Sequence, residues 1–129
     1  MHFCTGLAPE NAFTHTAIAD AFVCAQGFSA IRFNWELLDA GALPPASRSA
    51  FGEISTALSG KLSNPNTPWL ERGEAEQCAG DFLKLFDPQY CTIVSNRYDG
   101  LWHPISGAGV EWGFVGFDNG FAALLLLCE

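Results

Sequence analysis

Residues 90–129 read YCTIVSNRYDGLWHPISGAGVEWGFVGFDNGFAALLLLCE, and their pattern decides the fold. Three apolar runs, at about residues 90–96, 110–117 and 121–128, are separated by Gly- and Asn-bearing connections. Val110, Trp112 and Phe114 alternate with small or polar residues and fall on one face of a strand. Asp118-Asn119-Gly120 is a tight-turn signal joining the second run to the third. Leu124 to Leu127 are consecutive, so both faces of the last strand must be covered. That places it centrally, or between a helix layer and another chain. The stretch predicts an antiparallel β-meander of about three or more strands.

Residues 1–89 read as mainly helical. Pro9 at a first turn and Gly27 past the end bracket a helix over about residues 9–26. Phe13, Ala17, Ile18, Ala21, Phe22 and Ala25 form its apolar face, which leaves His15 on the solvated side. Residues 29–40 are ambiguous between helix and strand. Ile31, Phe33, Trp35 and Leu37 alternate as in a strand, but a Ser29 cap, a shared Ile31–Trp35–Leu38 face and Gly41 favour helix. Ser47 caps a third helix with a Phe51–Ile54–Leu58–Leu62 stripe, ended by Gly60. A polar linker at residues 63–68 offers a site for a mobile loop. A fourth helix runs from Thr67-Pro68 to about Phe86, burying Ala75, Cys78, Ala79, Phe82 and Phe86, before Asp87-Pro88 stops it. The expected fold is α+β: one domain over residues 1–129, with N-terminal helices packed on a small C-terminal antiparallel sheet.

Composition narrows the function. The chain has 129 residues, 6 basic against 14 acidic, a formal net charge of −8 and only 16% charged residues. Such a length buries a core without staples. Nucleic-acid binding needs clustered Lys and Arg, whereas Arg32, Arg48, Lys61, Arg72, Lys84 and Arg97 are scattered singly. Anionic membranes are disfavoured for the same reason, and Phe121 to Leu127 is too short to span a bilayer. A helix-turn-helix at residues 16–38 would offer DNA only Arg32 and Asn34, beside Glu36 and Asp39, and is rejected. The first ten residues show neither a basic n-region nor an apolar h-region, so a soluble, cytoplasmic protein is expected. Five cysteines, an odd number without a C-x-x-C pair, suggest small buried hydrophobes rather than disulfides or zinc ligands.

Chemistry-bearing residues concentrate in the connection Tyr98 to Gly109. His103 is a weak candidate for a general base, oriented by Asp99 or Glu111, with Cys91 or Ser106 as sequence-local nucleophiles. No motif supports catalysis, and Trp102 reads as either a sheet-end cap or a recognition anchor. Glu71, Glu74, Glu76 and Asp81 form a solvated acidic helix face that suits a basic partner. Glycines 107, 109, 113 and 116 lead into or lie within a strand, so they are turn and packing residues rather than a phosphate loop.

The leading expectation is a small acidic, non-enzymatic protein-binding module, inhibitor- or immunity-like, masking a basic protein. Its binding residues would be Asp99, Trp102, His103, Glu111, Glu71, Glu74 and Asp81. No metal and no cofactor is expected. The alternative is a small-molecule-binding protein or enzyme with a pocket between sheet and helices near His103 and Glu111. A homodimer through the sheet's face or edge is compatible with either.

Overall fold

The computed structural model describes residues 1–40, 49–60, 70–98 and 101–128. It has a five-stranded, wholly antiparallel sheet and three helices among those residues. Strands β3 (Thr92–Ser95), β6 (Glu111–Phe117) and β7 (Phe121–Cys128) are adjacent and form the expected meander. A short antiparallel pair, β4 (Arg97–Tyr98) with β5 (Leu101–Trp102), lies in the chain between β3 and β6.

Two N-terminal strands widen the meander and correct the expectation that only helices of residues 1–89 pack on the sheet. β1 (His2–Leu7) pairs with β7 from His2 opposite Leu126 to Leu7 opposite Phe121. β2 (Glu36–Leu38) pairs with β3, giving the sheet order β1-β7-β6-β3-β2. β7 is therefore internal, flanked on both sides.

Helix α1 (His15–Ala25) starts six residues later than Pro9 suggests, because the chain leading up to Pro9 is held in the sheet. Ala8 N–H donates to Gly120 O at 3.2 Å, continuing the β1–β7 ladder, and a residue preceding proline favours that extended state. Thr14 is the true cap, its Oγ1 accepting from Ala17 N–H at 3.1 Å. Gly27, at φ 92°, ends the helix in the left-handed region where glycine carries no Cβ penalty. The buried face also differs from expectation. Ala19, Phe22 and Val23 are buried, while Phe13, Ala17, Ala21 and Ala25 are exposed. Alanine fits either face, so a stripe read from alanines drifts around the helix.

Residues 29–40 contain a strand rather than a helix because polar groups of α1 capture their backbone. Asp20 accepts from Ile31 N–H (3.0 Å), Arg32 N–H (3.1 Å) and Trp35 Nε1–H (2.8 Å). Thr16 Oγ1 accepts from Trp35 N–H at 3.2 Å. His15 Nε2 lies 3.0 Å from Trp35 O, and since a carbonyl only accepts, that nitrogen carries the proton. His15 is thus a partly buried clamp, not a solvated side chain. Arg32, at φ 59°, is the only non-glycine with positive φ among the described residues. These amides are unavailable for an i→i−4 ladder, and Trp35 becomes a core residue at 1% exposure.

The sheet separates two cores. On one face α1 covers Val94, Val115, Phe117, Ala122, Leu124 and Leu126, with Ile31 and Trp35 sealing the side. On the other, α2 (Ala50–Leu58) and α3 (Arg72–Leu83) cover Ile93, Trp112, Phe114, Leu125 and Leu127. Helix α2 is capped by Ser49, whose Oγ accepts from Gly52 N–H at 3.0 Å. The cap expected at Ser47, the stripe position Leu62, the linker at residues 63–68 and the Thr67-Pro68 helix start lie outside the described residues. Gly60 ends α2 at φ 91°, as its position predicts. Gly116 is a packing glycine: a Cβ there would lie 2.5 Å from Phe86 Cε2 and 2.8 Å from Ile93 Cδ1.

Candidate functional site

The connection after β3 is built around two buried polar side chains, Asn96 and Glu111. Glu111 opens β6 on the α1 side of the sheet and is fully buried. Its Oε2 accepts from Asn96 Nδ2 and from Ile105 N–H, each at 2.9 Å. Its Oε1 accepts from Ser106 Oγ (2.7 Å) and Ser106 N–H (3.1 Å). Asn96 completes the knot. Its Oδ1 accepts from Gly113 N–H at 2.7 Å, and its Nδ2 also donates to His103 O at 3.1 Å. A buried carboxylate is costly unless its lone pairs are matched, and here four donors match them. Glu111 therefore holds the 103–108 loop against the sheet.

Arg97 occupies the other side of the same junction. Its Cζ lies 4.9 Å from the Trp102 ring centroid and 4.7 Å from that of Trp112, and its Nε–H donates to Glu111 O at 3.1 Å. Burial pulls the guanidinium below its ordinary value, while the Glu111 and Glu53 carboxylates act in the opposite direction. Trp112 Nε1–H donates to Ser95 Oγ at 3.0 Å, and its ring stacks on Phe114, so both aromatics belong to the core as their alternation implies. Trp102 is half-buried, with Arg97 over its ring. His103 is exposed and stacks on Phe33 at 5.1 Å between centroids and 7° between planes. Asp99 lies outside the described residues.

These placements separate the residues a catalytic reading would need together. Ser106 Oγ is already a donor to Glu111. Cys91 precedes β3, while His103 N–H bonds Asn96 O beyond its far end. Five extended residues between positions 91 and 96 span about 16 Å. Burial, aided by the Asp118 carboxylate, pushes the Cys91 thiol up to about 11, which keeps it protonated and a poor nucleophile. Asp118 itself is held below the usual carboxylate range by backbone amides of Asp87, Gly120 and Phe121.

A different site lies at the free edge of the sheet. β1 has no neighbour beyond it among the described residues. Between β1 and α3 runs an open, apolar groove of about 310 Å³, lined by Met1, Phe3, Phe82, Leu85 and Leu125, with Cys78 and Asp81 on its helical wall. Phe3 meets Phe82 edge-on at 6.3 Å, yet stays 51% exposed. Positions 74, 78 and 81 follow i, i+4, i+7 spacing within α3 and so share one helix face, and Leu85 follows just past the helix end. Cys78, expected in the core, is exposed on that face, as are Glu71, Glu74 and Asp81. The buried stripe is Ala75, Ala79 and Phe82. Glu76 pairs with Arg72 at 3.0 Å, and Asp81 Oδ1 accepts from Gln77 Nε2 at 3.1 Å.

Phe3 and Leu85 were not among the residues expected from sequence. Leu85 lies past the end of α3, so helical spacing from Glu74, Cys78 and Asp81 does not by itself place it at the groove. Phe3 shares a strand face with Thr5 and Leu7, but so short a run, with a polar residue at its centre, is a weaker signal than the helix start at Pro9. All five cysteines are free. Among the described residues no cluster of three or more His, Cys, Asp or Glu could hold a metal ion. No described helix is long and apolar enough to cross a membrane. No family model, curated protein or solved structure matches the chain.

Proposed function

We propose that this chain is a small acidic, non-enzymatic protein-binding module, inhibitor- or immunity-like, that masks a basic partner. The observation that carries the reading is the apolar groove beside β1, with the exposed Asp81 carboxylate in its wall and Glu74 exposed on the same helix. A net charge of −8 steers a basic protein toward the surface before contact. Desolvation of exposed apolar side chains such as Phe3 and Leu85 then supplies affinity. Glu71, Glu74 and Asp81 are the steering groups. The Trp102 and His103 surface is a second, smaller contact in this reading, with Asp99 beside it in sequence, and Glu111 holds its loop in shape. Five free thiols suit the reducing cytoplasm.

A small-molecule or catalytic site at His103 and Glu111 is less well supported, since the Glu111 carboxylate is already engaged by its loop. The test is capture by the immobilised chain, with identification of bound proteins by mass spectrometry. A specific basic partner is expected, released by salt and lost with a Glu74→Lys/Asp81→Lys variant whose thermal unfolding is unchanged. Capture indifferent to both salt and charge reversal overturns the reading, as does recovery of a metabolite with no protein.

A further inference from the structure

We infer that the partner is held by strand addition: an extended segment pairs with the free edge of β1 and places an apolar side chain in the groove against α3. This rests on the reading of the chain as a protein-binding module and names how its partner is gripped.

The two edges of the sheet differ in the features that normally prevent pairing. β2 is three residues long, bears Glu36, and is followed by Asp39 in a bridge to Ser49. Short length and charge are the usual protections of an edge. β1 is twice as long, reads HFCTGL, and has no charged residue and no proline. Its outer amides and carbonyls have no strand partner among the described residues. Main-chain pairing with such an edge gives affinity, and pockets for alternate side chains give specificity. The groove is such a pocket, because Phe3 and Leu125 point from neighbouring strands toward Phe82 and Leu85.

Charge defines the occupant. Asp81 lines the groove and Glu74 lies on the same helical stripe, which carries no basic residue. Seven helical residues separate them by about 10 Å. In an extended chain, the residues two before and two after a central position share its face and lie about 13 Å apart. A segment with a large apolar residue flanked at those positions by Lys or Arg therefore meets both the groove and the carboxylates. A second copy of this chain fits poorly. Two-fold pairing of β1 with β1 sets both α3 helices on the same side of the joined sheet, where their acidic stripes repel.

The probe is the heptapeptide acetyl-Thr-Lys-Thr-Leu-Thr-Lys-Thr-amide, titrated by NMR into the intact protein. Saturable binding is expected, with slowed amide exchange confined to residues 2–7 and weakening of about tenfold or more in Leu85→Glu and Asp81→Lys. Two N-methylated versions complete the test, one blocked at Lys and Leu and one at the Thr residues. Only one set of amides faces the protein in a strand, so one version must lose binding and the other keep it. Absence of binding, an equal effect of both methylation patterns, or a concentration-dependent dimer that the peptide leaves intact overturns the inference. A captured basic partner that the heptapeptide does not displace sinks strand addition and leaves the masking role standing. Peptide binding without any such partner does the reverse.

Discussion

At the Asn96–Glu111 junction and along the β1–α3 groove, the same sheet treats its surroundings in opposite ways. In the first, two buried polar side chains, a serine and several backbone amides satisfy one another, with Glu111 at 0% exposure. In the second, Phe3, Met1 and Leu85 remain 51%, 62% and 42% exposed beside an edge strand without an outer neighbour among the described residues. A concentration of polar residues in sequence is therefore a poor guide to which surface is left open. Groups that satisfy each other have nothing left to offer a ligand, whereas exposed apolar surface and unpaired edge amides gain by being covered.

The largest effect should come from breaking the junction. Glu111→Ala leaves Ile105 N–H, Ser106 and Asn96 Nδ2 without their acceptor and should lower stability by about 3 kcal/mol or more. Urea unfolding measures this, and a loss below about 1 kcal/mol would mean that the knot is dispensable.

Next in size is Gly116→Ala, where the added methyl collides with Phe86 and Ile93. A cost of about 1–3 kcal/mol is expected from overpacking, read as a lower thermal midpoint. A neutral outcome would show that the α3-side core yields more readily than its packing implies.

Asp118→Ala should cost about 1 kcal/mol, since three backbone amides lose an exposed acceptor. The carboxyl is depressed in the folded state, so its contribution is fully present above the unfolded value, about pH 4, and fades as pH falls further. Wild type and variant should therefore converge in acid, and a constant difference down to pH 2 contradicts that origin. Cys91 has the opposite sign. Its raised value makes stability fall as pH climbs from about 9 toward 11, a loss that Cys91→Ala should remove.

Smallest for stability are changes at the groove. Leu85→Glu and Asp81→Lys should shift unfolding by no more than about 0.5 kcal/mol while abolishing partner capture. Destabilisation comparable to Glu111→Ala would show that the groove is part of the core. Alkylation sharpens the contrast without mutation: Cys24 and Cys78 should react first and Cys91 much more slowly.

Much of the C-terminal half was legible from local chemistry. Trp112 and Phe114 alternate into one core, Asp118-Asn119-Gly120 turns the chain, and the leucine run demands cover on both faces. Those signals are short-range, so sequence carries them whole. Less was legible at residues 29–40, where helix and strand patterns were nearly balanced and distant Asp20, Thr16 and His15 decided between them. Of the residues picked out for function, Glu74 and Asp81 are exposed on α3 and Glu71 at its N-cap, while Glu111 is an internal tie.

By itself, the sequence determined the class of the fold, the meander, the glycine helix ends and the acidic charge. These follow from periodicity, turn chemistry and composition, each confined to a few neighbouring residues or summed over all. Only the tertiary structure decided that residues 2–7 pair with a strand about 120 positions away, leaving an edge beside α3 open among the described residues. Strand pairing partners are chosen by burial and register between distant segments, and nothing in HFCTGL records that choice.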